Sequence, residues 1–237
     1  NHMDQLLEND LVNFNGILTQ TAKVAIQHLK QRETLPPGRN IAPIDKMELP
    51  SKGIGALNTL KYFEDNFADK LANSAGPRYF GFVTGGSTPA SVAGDWLVSM
   101  YDQNACGSND SVAPRIEIQT IEFFKELFGL DDRYFGSFVT GATMANFTSL
   151  AQARQWIGLQ AGLDFSNVGL HGASINVLSG TPHSSIIKSL SMLGIGRNSI
   201  TSIPTLPDRE AIDVGKLEDI LRKNPDPLIV VANAGNV

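Results

Sequence analysis

Apolar positions in this chain follow two different rhythms, one in each half. Over residues 4–33, Leu7, Leu11, Leu18, Ala22, Ala25 and Leu29 recur at spacings of three or four residues, or multiples of them. That spacing predicts one face of an amphipathic helix, with a break expected near Asn15-Gly16. Pro36-Pro37-Gly38 ends the segment, because proline lacks an amide donor and clashes with a continuing helix. Residues 36–56 hold Pro36, Pro37, Pro43 and Pro50 and read as an extended connector. Residues 57–73 read as helix again, closed by Asn73-Ser74-Ala75-Gly76-Pro77. The aromatic run Arg78-Tyr79-Phe80-Gly81-Phe82 is followed by the flexible Thr84-Gly85-Gly86-Ser87. Helices are predicted over 89–103 and 115–129, joined by the polar loop Asn104 to Ser111; Pro114 opens the second and Gly129 closes it.

The second half alternates strand and helix patterns. Strands are predicted at 135–140, 173–179, 199–203 and 227–232, and helices at 143–160, 184–193 and 213–223. Strands separated by helices of this length pair in parallel through crossover connections, which makes the fold class α/β. The nearly continuous apolar run Pro227-Leu228-Ile229-Val230-Val231-Ala232 suits a sheet covered on both faces.

Composition narrows the function classes. A length of 237 residues allows one large domain or two small ones. The net charge of -5 argues against a nucleic-acid partner, which needs a basic face. The single Cys106 excludes an internal disulfide and fits a reducing, cytoplasmic setting. No apolar run is long enough to suggest a membrane span. Asn1-His2-Met3 reads as a remnant ahead of a native start rather than a signal peptide. No metal-ligating motif is apparent.

Two short stretches carry candidate chemistry. In Phe138-Val139-Thr140-Gly141-Ala142-Thr143, an apolar strand breaks at a glycine and opens a helix. A helix start leaves amide donors without partners and a partial positive charge, and an anion satisfies both. Gly141 permits a sharp turn and close approach, and Thr143 adds a hydroxyl. The sequence here is neither a dinucleotide fingerprint nor a P-loop. Thr140 and Thr143 as simple helix caps remain an alternative reading. The second stretch, Gly180-Thr181-Pro182-His183-Ser184-Ser185, follows a strand. Ligands of open parallel sheets sit at the carboxyl ends of strands, so His183 falls on the ligand side, where it can stack on a planar ring or carry a proton. A packed turn histidine is the plainer alternative. Ser184 and Ser185 are expected to cap the following helix, and Lys188, one turn on, is expected on a solvated face.

Together these blocks resemble the group II pyridoxal-phosphate-dependent amino acid decarboxylases, the family of aromatic amino acid and glutamate decarboxylases. That family carries a Ser/Gly-Ser/Thr-Glu-Ala-Asn phosphate loop running on to Ala-Arg; here the stretch is Gly141-Ala142-Thr143-Met144-Ala145-Asn146, running on to Ala153-Arg154. It carries a His-Ser-Ser block with a lysine soon after, here His183-Ser184-Ser185 and Lys188. It carries a Val-Ala-Thr-x-Gly-Thr-Thr strand, here Val231-Ala232-Asn233-Ala234-Gly235-Asn236-Val237. Its aromatic His-Pro-x-Phe-Phe-Gly segment corresponds to Gly76-Pro77-Arg78-Tyr79-Phe80-Gly81-Phe82. Met144, Gly76, Asn233 and Asn236 depart from the family pattern and leave the substrate class open.

The resemblance implies an aspartate-aminotransferase-like large domain, pyridoxal-phosphate fold type I, over 76–237, preceded by a helical dimerisation arm over 1–75. It implies pyridoxal 5'-phosphate as cofactor and decarboxylation of an L-amino acid to its amine, with a carbon–carbon lyase or aminotransferase on the same fold, or a non-catalytic module, as alternatives. Gly141, Ala142 and Thr143 would hold the phosphate, His183 would stack on the ring and assist proton transfer, and Asn236 would lie near the cofactor. Phe80, Phe82, Thr84 and Asn104 would line the substrate side. The family's cofactor-bonding lysine and its pyridine-nitrogen carboxylate have no counterpart here, and no His-Lys dipeptide occurs. The expectation is therefore a chain truncated within the large domain, working as a homodimer or with the remainder of its polypeptide.

Overall fold

The strand–helix alternation of the second half builds a small parallel sheet flanked by helices. The computed structural model describes residues 3–38, 46–104, 111–170 and 172–233. Asn1-His2, Cys106, Asn236 and parts of the 36–56 and 104–111 connections lie outside the described residues. Contacts divide the chain into two compact units, Asn1–Asp102 and Gln103–Asn236.

In the first unit, α1 (Gln5–Val12) is capped by the Asp4 carboxylate, which accepts from the Leu6 amide at 2.9 Å. It breaks from α2 (Phe14–Gln31) at Asn13, two residues before the predicted Asn15-Gly16. Asparagine at a break is natural because its side chain competes for backbone hydrogen bonds. Gly16 instead sits inside α2, where a Cβ would collide with the Asn13 side chain. Asp10 accepts from the Ala56 amide at 2.9 Å and ties α1 to the start of α3 (Ala56–Asn66). The predicted helix over 57–73 stops early, at Asn66, with one 3₁₀ turn at Ala68–Lys70.

The turn after α3 is stitched to the end of α2. Buried Asn73 donates to the Arg32 and Leu35 carbonyls at 2.6 and 3.2 Å, and Arg78 donates to the Thr34 and Leu35 carbonyls at 2.8 Å. α4 (Pro89–Tyr101) opens with a reciprocal Thr88–Ser91 capping box and a proline in its first turn.

The second unit begins with α5 (Ala113–Phe128), closed by Gly129 at φ 65°. The predicted strand over 135–140 does not form: among the described residues no strand pairs with it, and Phe135 is 93% exposed. An apolar run without a ladder partner has nowhere to place its backbone hydrogen bonds except solvent. Beyond it come α6 (Ala142–Gln160), α7 (Phe165–Val168), β1 (Val177–Ser179), α8 (Ser184–Met192), β2 (Ile200–Ser202), α9 (Val214–Lys223) and β3 (Ile229–Val231). The sheet order is β2-β1-β3, all parallel, with Val177 in register with both Ile200 and Ile229. The central strand β1 is wholly buried, while β3 buries Ile229 and leaves Val230 open, so the double cover expected of 227–232 is only partial among the described residues.

The core lies between the sheet and α6, α7 and α8. Leu150, Phe165, Ile175, Val177, Ile186, Leu190, Leu193 and Ile229 form one buried cluster, with Phe147, Ala151 and Ile157 of α6 packed against it. Met144, at the helix start, is 38% exposed. Gly158 is where α6 meets α7: a Cβ there would stand 2.6 Å from the Phe165 ring and 2.8 Å from the Leu163 carbonyl. A Gly158→Ala substitution is therefore expected to destabilise the unit by about 1–3 kcal/mol despite its better helix propensity. A lowered urea midpoint checks this, and an unchanged or raised midpoint contradicts it.

Asp164 caps α7 and also fastens it to α6. Its carboxylate accepts from the Ser166 hydroxyl at 2.6 Å, from Gln155 at 2.6 Å, from the Ser166 amide at 3.0 Å and from Asn167 at 2.7 Å. The Ser166 hydroxyl, then Gln155, hold its carboxyl below the usual carboxylate value. A depressed folded pKa stabilises the junction at pH above the ordinary aspartate value and loses that contribution as pH falls from about 4 downward. An NMR titration of the Asp164 carboxyl carbon is expected to give a midpoint below that of an unstructured aspartate; a midpoint at or above it contradicts the assignment.

Candidate functional site

α6 begins where the chain turns sharply at Gly141. Its φ of 89° and ψ of 169° lie in a region that essentially only glycine occupies. Gly141 is the N-cap residue and makes no side-chain cap bond, so the first turn is not closed by Thr140 or Thr143 in the way a capping reading requires. A Cβ built on Gly141 would meet nothing within 4 Å, so the space over the first turn is open. Ala142 and Thr143 are both exposed there. No acidic residue occurs in the sequence between Asp132 and Asp164, so no nearby carboxylate in the chain order opposes an anion at this corner.

His183 stands at the matching corner beyond the carboxyl end of β1. It, and not Ser184 or Ser185, caps α8: its Nδ1 accepts from the Ser185 amide at 3.2 Å. Pro182 precedes it, and its extended backbone (φ -60°, ψ 148°) lets the imidazole reach back over the first turn. The Ser185 side chain is buried and lies 2.8 Å from the same Nδ1. Lys188 is exposed on α8, as the sequence indicated.

Two side-chain bonds draw these loops together. Asn146, one turn into α6, donates to the Ser185 hydroxyl at 2.8 Å, which sets the starts of α6 and α8 side by side. Asn233, just beyond β3, donates to the Thr181 carbonyl beyond β1. Ser179 and Val231, the last residues of those strands, are register partners. The Gly141 corner, His183 and Asn233 thus gather at one end of the sheet, the carboxyl end, where parallel sheets hold ligands. Asn146, Ser185 and Asn233 lie within the sequence motifs, but the motifs alone give them no role in the site. The signal for them was their place beside Gly141 and His183, but only the tertiary fold reveals the bonds.

The remaining candidates are placed as follows. Asn236 lies outside the described residues. Asn104 is exposed at the start of the second unit. Phe80, Phe82 and Thr84 belong to the first unit; Phe80 is 86% and Phe82 91% exposed, and Thr84 donates to the Ser74 carbonyl at 3.0 Å. Phe82 and Val83 both adopt positive φ, 54° and 53°, a conformation that bulky residues rarely hold. Among the described residues, no group of three or more His, Cys, Asp or Glu side chains comes together to hold a metal ion. Among them also, no helix is long and apolar enough to cross a membrane.

The donor set fits a phosphorylated aromatic cofactor. The uncapped α6 start with its open glycine corner and the Thr143 hydroxyl suit a phosphate, and a histidine on the adjoining loop suits a ring.

The chain matches no model of a known protein family. It is 26% identical over 226 residues to an aromatic-L-amino-acid decarboxylase of Bacillus atrophaeus, covering 91% of this chain and 45% of that protein. Among solved structures it resembles the glutamate decarboxylase domain of a diaminobutyrate-pyruvate transaminase and L-2,4-diaminobutyrate decarboxylase from Vibrio parahaemolyticus. There the TM-score is 0.83 at 18% identity, over 100% of this chain and 53% of the other. It also resembles Oryza sativa TDC bound to PLP and tryptamine, with TM-score 0.78, 18% identity, and 97% and 51% of the two chains covered. Catharanthus roseus tryptophan decarboxylase in complex with L-tryptophan gives a TM-score of 0.73 at 15% identity, over 89% and 47% of the two chains. This chain thus spans about half the length of the proteins it matches. In sequence and in fold it resembles the group II pyridoxal-phosphate-dependent amino acid decarboxylases, over about half of their length.

Proposed function

We propose that this chain supplies the phosphate-binding and ring-stacking half of the site of a pyridoxal-phosphate-dependent L-amino acid decarboxylase. The observation that carries this reading is the uncapped start of α6 at Gly141, joined through Asn146 and Ser185 to His183. The amides of Ala142 and Thr143 and the Thr143 hydroxyl would hold the cofactor phosphate, and His183 would stack on its ring. The bound cofactor supplies an electron sink for the pair released when the α-carboxylate leaves as carbon dioxide. His183 holds a proton near the reacting carbon.

The lysine that bonds to the cofactor aldehyde and the carboxylate that keeps the pyridine nitrogen protonated come from outside these 237 residues; no His-Lys dipeptide occurs within them. Residues 1–75 act as an arm that docks on a second subunit, a role favoured by the exposed Leu7, Leu11, Val12 and Phe14. The single Cys106 accords with a cytoplasmic home.

The test is product analysis of the complete enzyme with added pyridoxal phosphate and a panel of aromatic and acidic L-amino acids. Equal yields of amine and carbon dioxide are expected. Formation of an oxo acid without carbon dioxide would assign the site to transamination and overturn the proposal.

A further inference from the structure

We infer that Ser185 and Asn146 are positioning residues that fix His183 in one tautomer, with the proton on Nε2 and the lone pair on Nδ1. One donor here has a direction that is not adjustable. A backbone amide can only donate, and the Ser185 N–H is directed at His183 Nδ1 at 3.2 Å. That long bond favours Nδ1 as an acceptor without a proton, and the shorter contact with the Ser185 hydroxyl decides it. The Ser185 hydroxyl, 2.8 Å from the same nitrogen, must then turn its own hydrogen towards it. That leaves the hydroxyl oxygen with lone pairs free to accept, and Asn146 meets it with its amide nitrogen at 2.8 Å. The orientation of each group thus follows from the one before: amide to imidazole, imidazole to hydroxyl, hydroxyl to carboxamide.

The arrangement is also held mechanically. Ser185 is 5% exposed, so its hydroxyl cannot exchange the imidazole for bulk water without local opening. Asn146 is half-buried on α6, and α6 packs directly on α8. A histidine as helix cap is unusual where serine, threonine, aspartate or asparagine are the common choices. Here the cap bond does a second thing: it consumes the nitrogen that would otherwise compete for the proton. Nε2–H is left as the ring's only N–H, the one able to meet a ligand. The catalytic meaning of that N–H rests on the proposed cofactor reading; the tautomer itself does not.

The test is nitrogen-15 NMR of ring-labelled histidine in the intact protein without cofactor, at alkaline pH where the rings are neutral. His183→Gln identifies the signal. Wild type is expected to show Nδ1 with the shift of an unprotonated nitrogen and Nε2 with that of a protonated one. Free histidine already leans modestly to this tautomer, so the decisive variant is the near-isosteric Asn146→Asp. A carboxylate cannot donate; the Ser185 hydroxyl turns to it and presents a lone pair to Nδ1. The Nδ1 signal is then expected to move markedly towards the protonated range. Ser185→Ala is expected to mix the two forms, and Ser185→Thr, which keeps the hydroxyl, to restore the wild-type pattern. A protonated Nδ1 in wild type, or wild-type spectra in both Asn146→Asp and Ser185→Ala, would overturn the inference. Loss of cofactor binding with the tautomer pattern intact would instead count against the proposed function alone.

Discussion

Replacing Gly141 with alanine is expected to weaken pyridoxal phosphate binding by about ten- to a hundredfold. The backbone there sits at φ 89° and ψ 169°, where a side chain carries a strain of about 1–3 kcal/mol. The protein can relieve that strain only by rotating the first peptide units of α6, and those units carry the Ala142 and Thr143 amides. Each 1.4 kcal/mol diverted from the bound state is a factor of ten in affinity. Space is not the obstacle, since an added Cβ would touch nothing within 4 Å. The effect is therefore conformational, and bulkier residues should not be proportionally worse. A titration that follows the cofactor's absorbance reads the loss directly. Unchanged affinity in a folded Gly141→Ala protein would mean that the phosphate is held elsewhere.

Leu190→Ala is expected to cost about 2–5 kcal/mol of stability, the range for emptying a fully buried leucine site. Leu190 is 0% exposed and sits on α8, facing the cluster of Leu150, Phe165, Ile175 and Val177. The cluster draws on α6 and on the central strand, which is held in register on both sides, so the cavity has little freedom to collapse. Urea unfolding measures the loss, and a change below about 1 kcal/mol would contradict this picture of the core. The site should suffer with the fold, because α8 begins at His183 and its seating on α6 brings Ser185 to Asn146.

Much of this was legible in the chain. The helix pattern over 143–160 located α6, and the strand patterns located β1, β2 and β3, whose parallel pairing follows from the helices between them. Gly141 and His183 announced the two corners because each follows an apolar run and precedes a helix. The run at 135–140 misled for the same reason. Local pattern reports that a segment is apolar, whereas a strand also needs a partner, and none of the described residues provides one. The cap of α8 was assigned to Ser184 or Ser185 on residue preference, but the extended Pro182-His183 backbone gave it to the imidazole. The Asn146–Ser185–His183 chain joins residues 39 apart in sequence, and no spacing rule anticipates a bond of that kind.

The proposed function rests on recognition of a phosphate by the α6 corner. The most direct measurement is the affinity of the protein for pyridoxal phosphate against pyridoxal, which has the same ring and no phosphate. Charge-assisted bonds of about 1.5–3 kcal/mol each predict a preference of at least about tenfold for the phosphorylated form, and one that shrinks in Gly141→Ala. Equal affinity for the two compounds would contradict the claim.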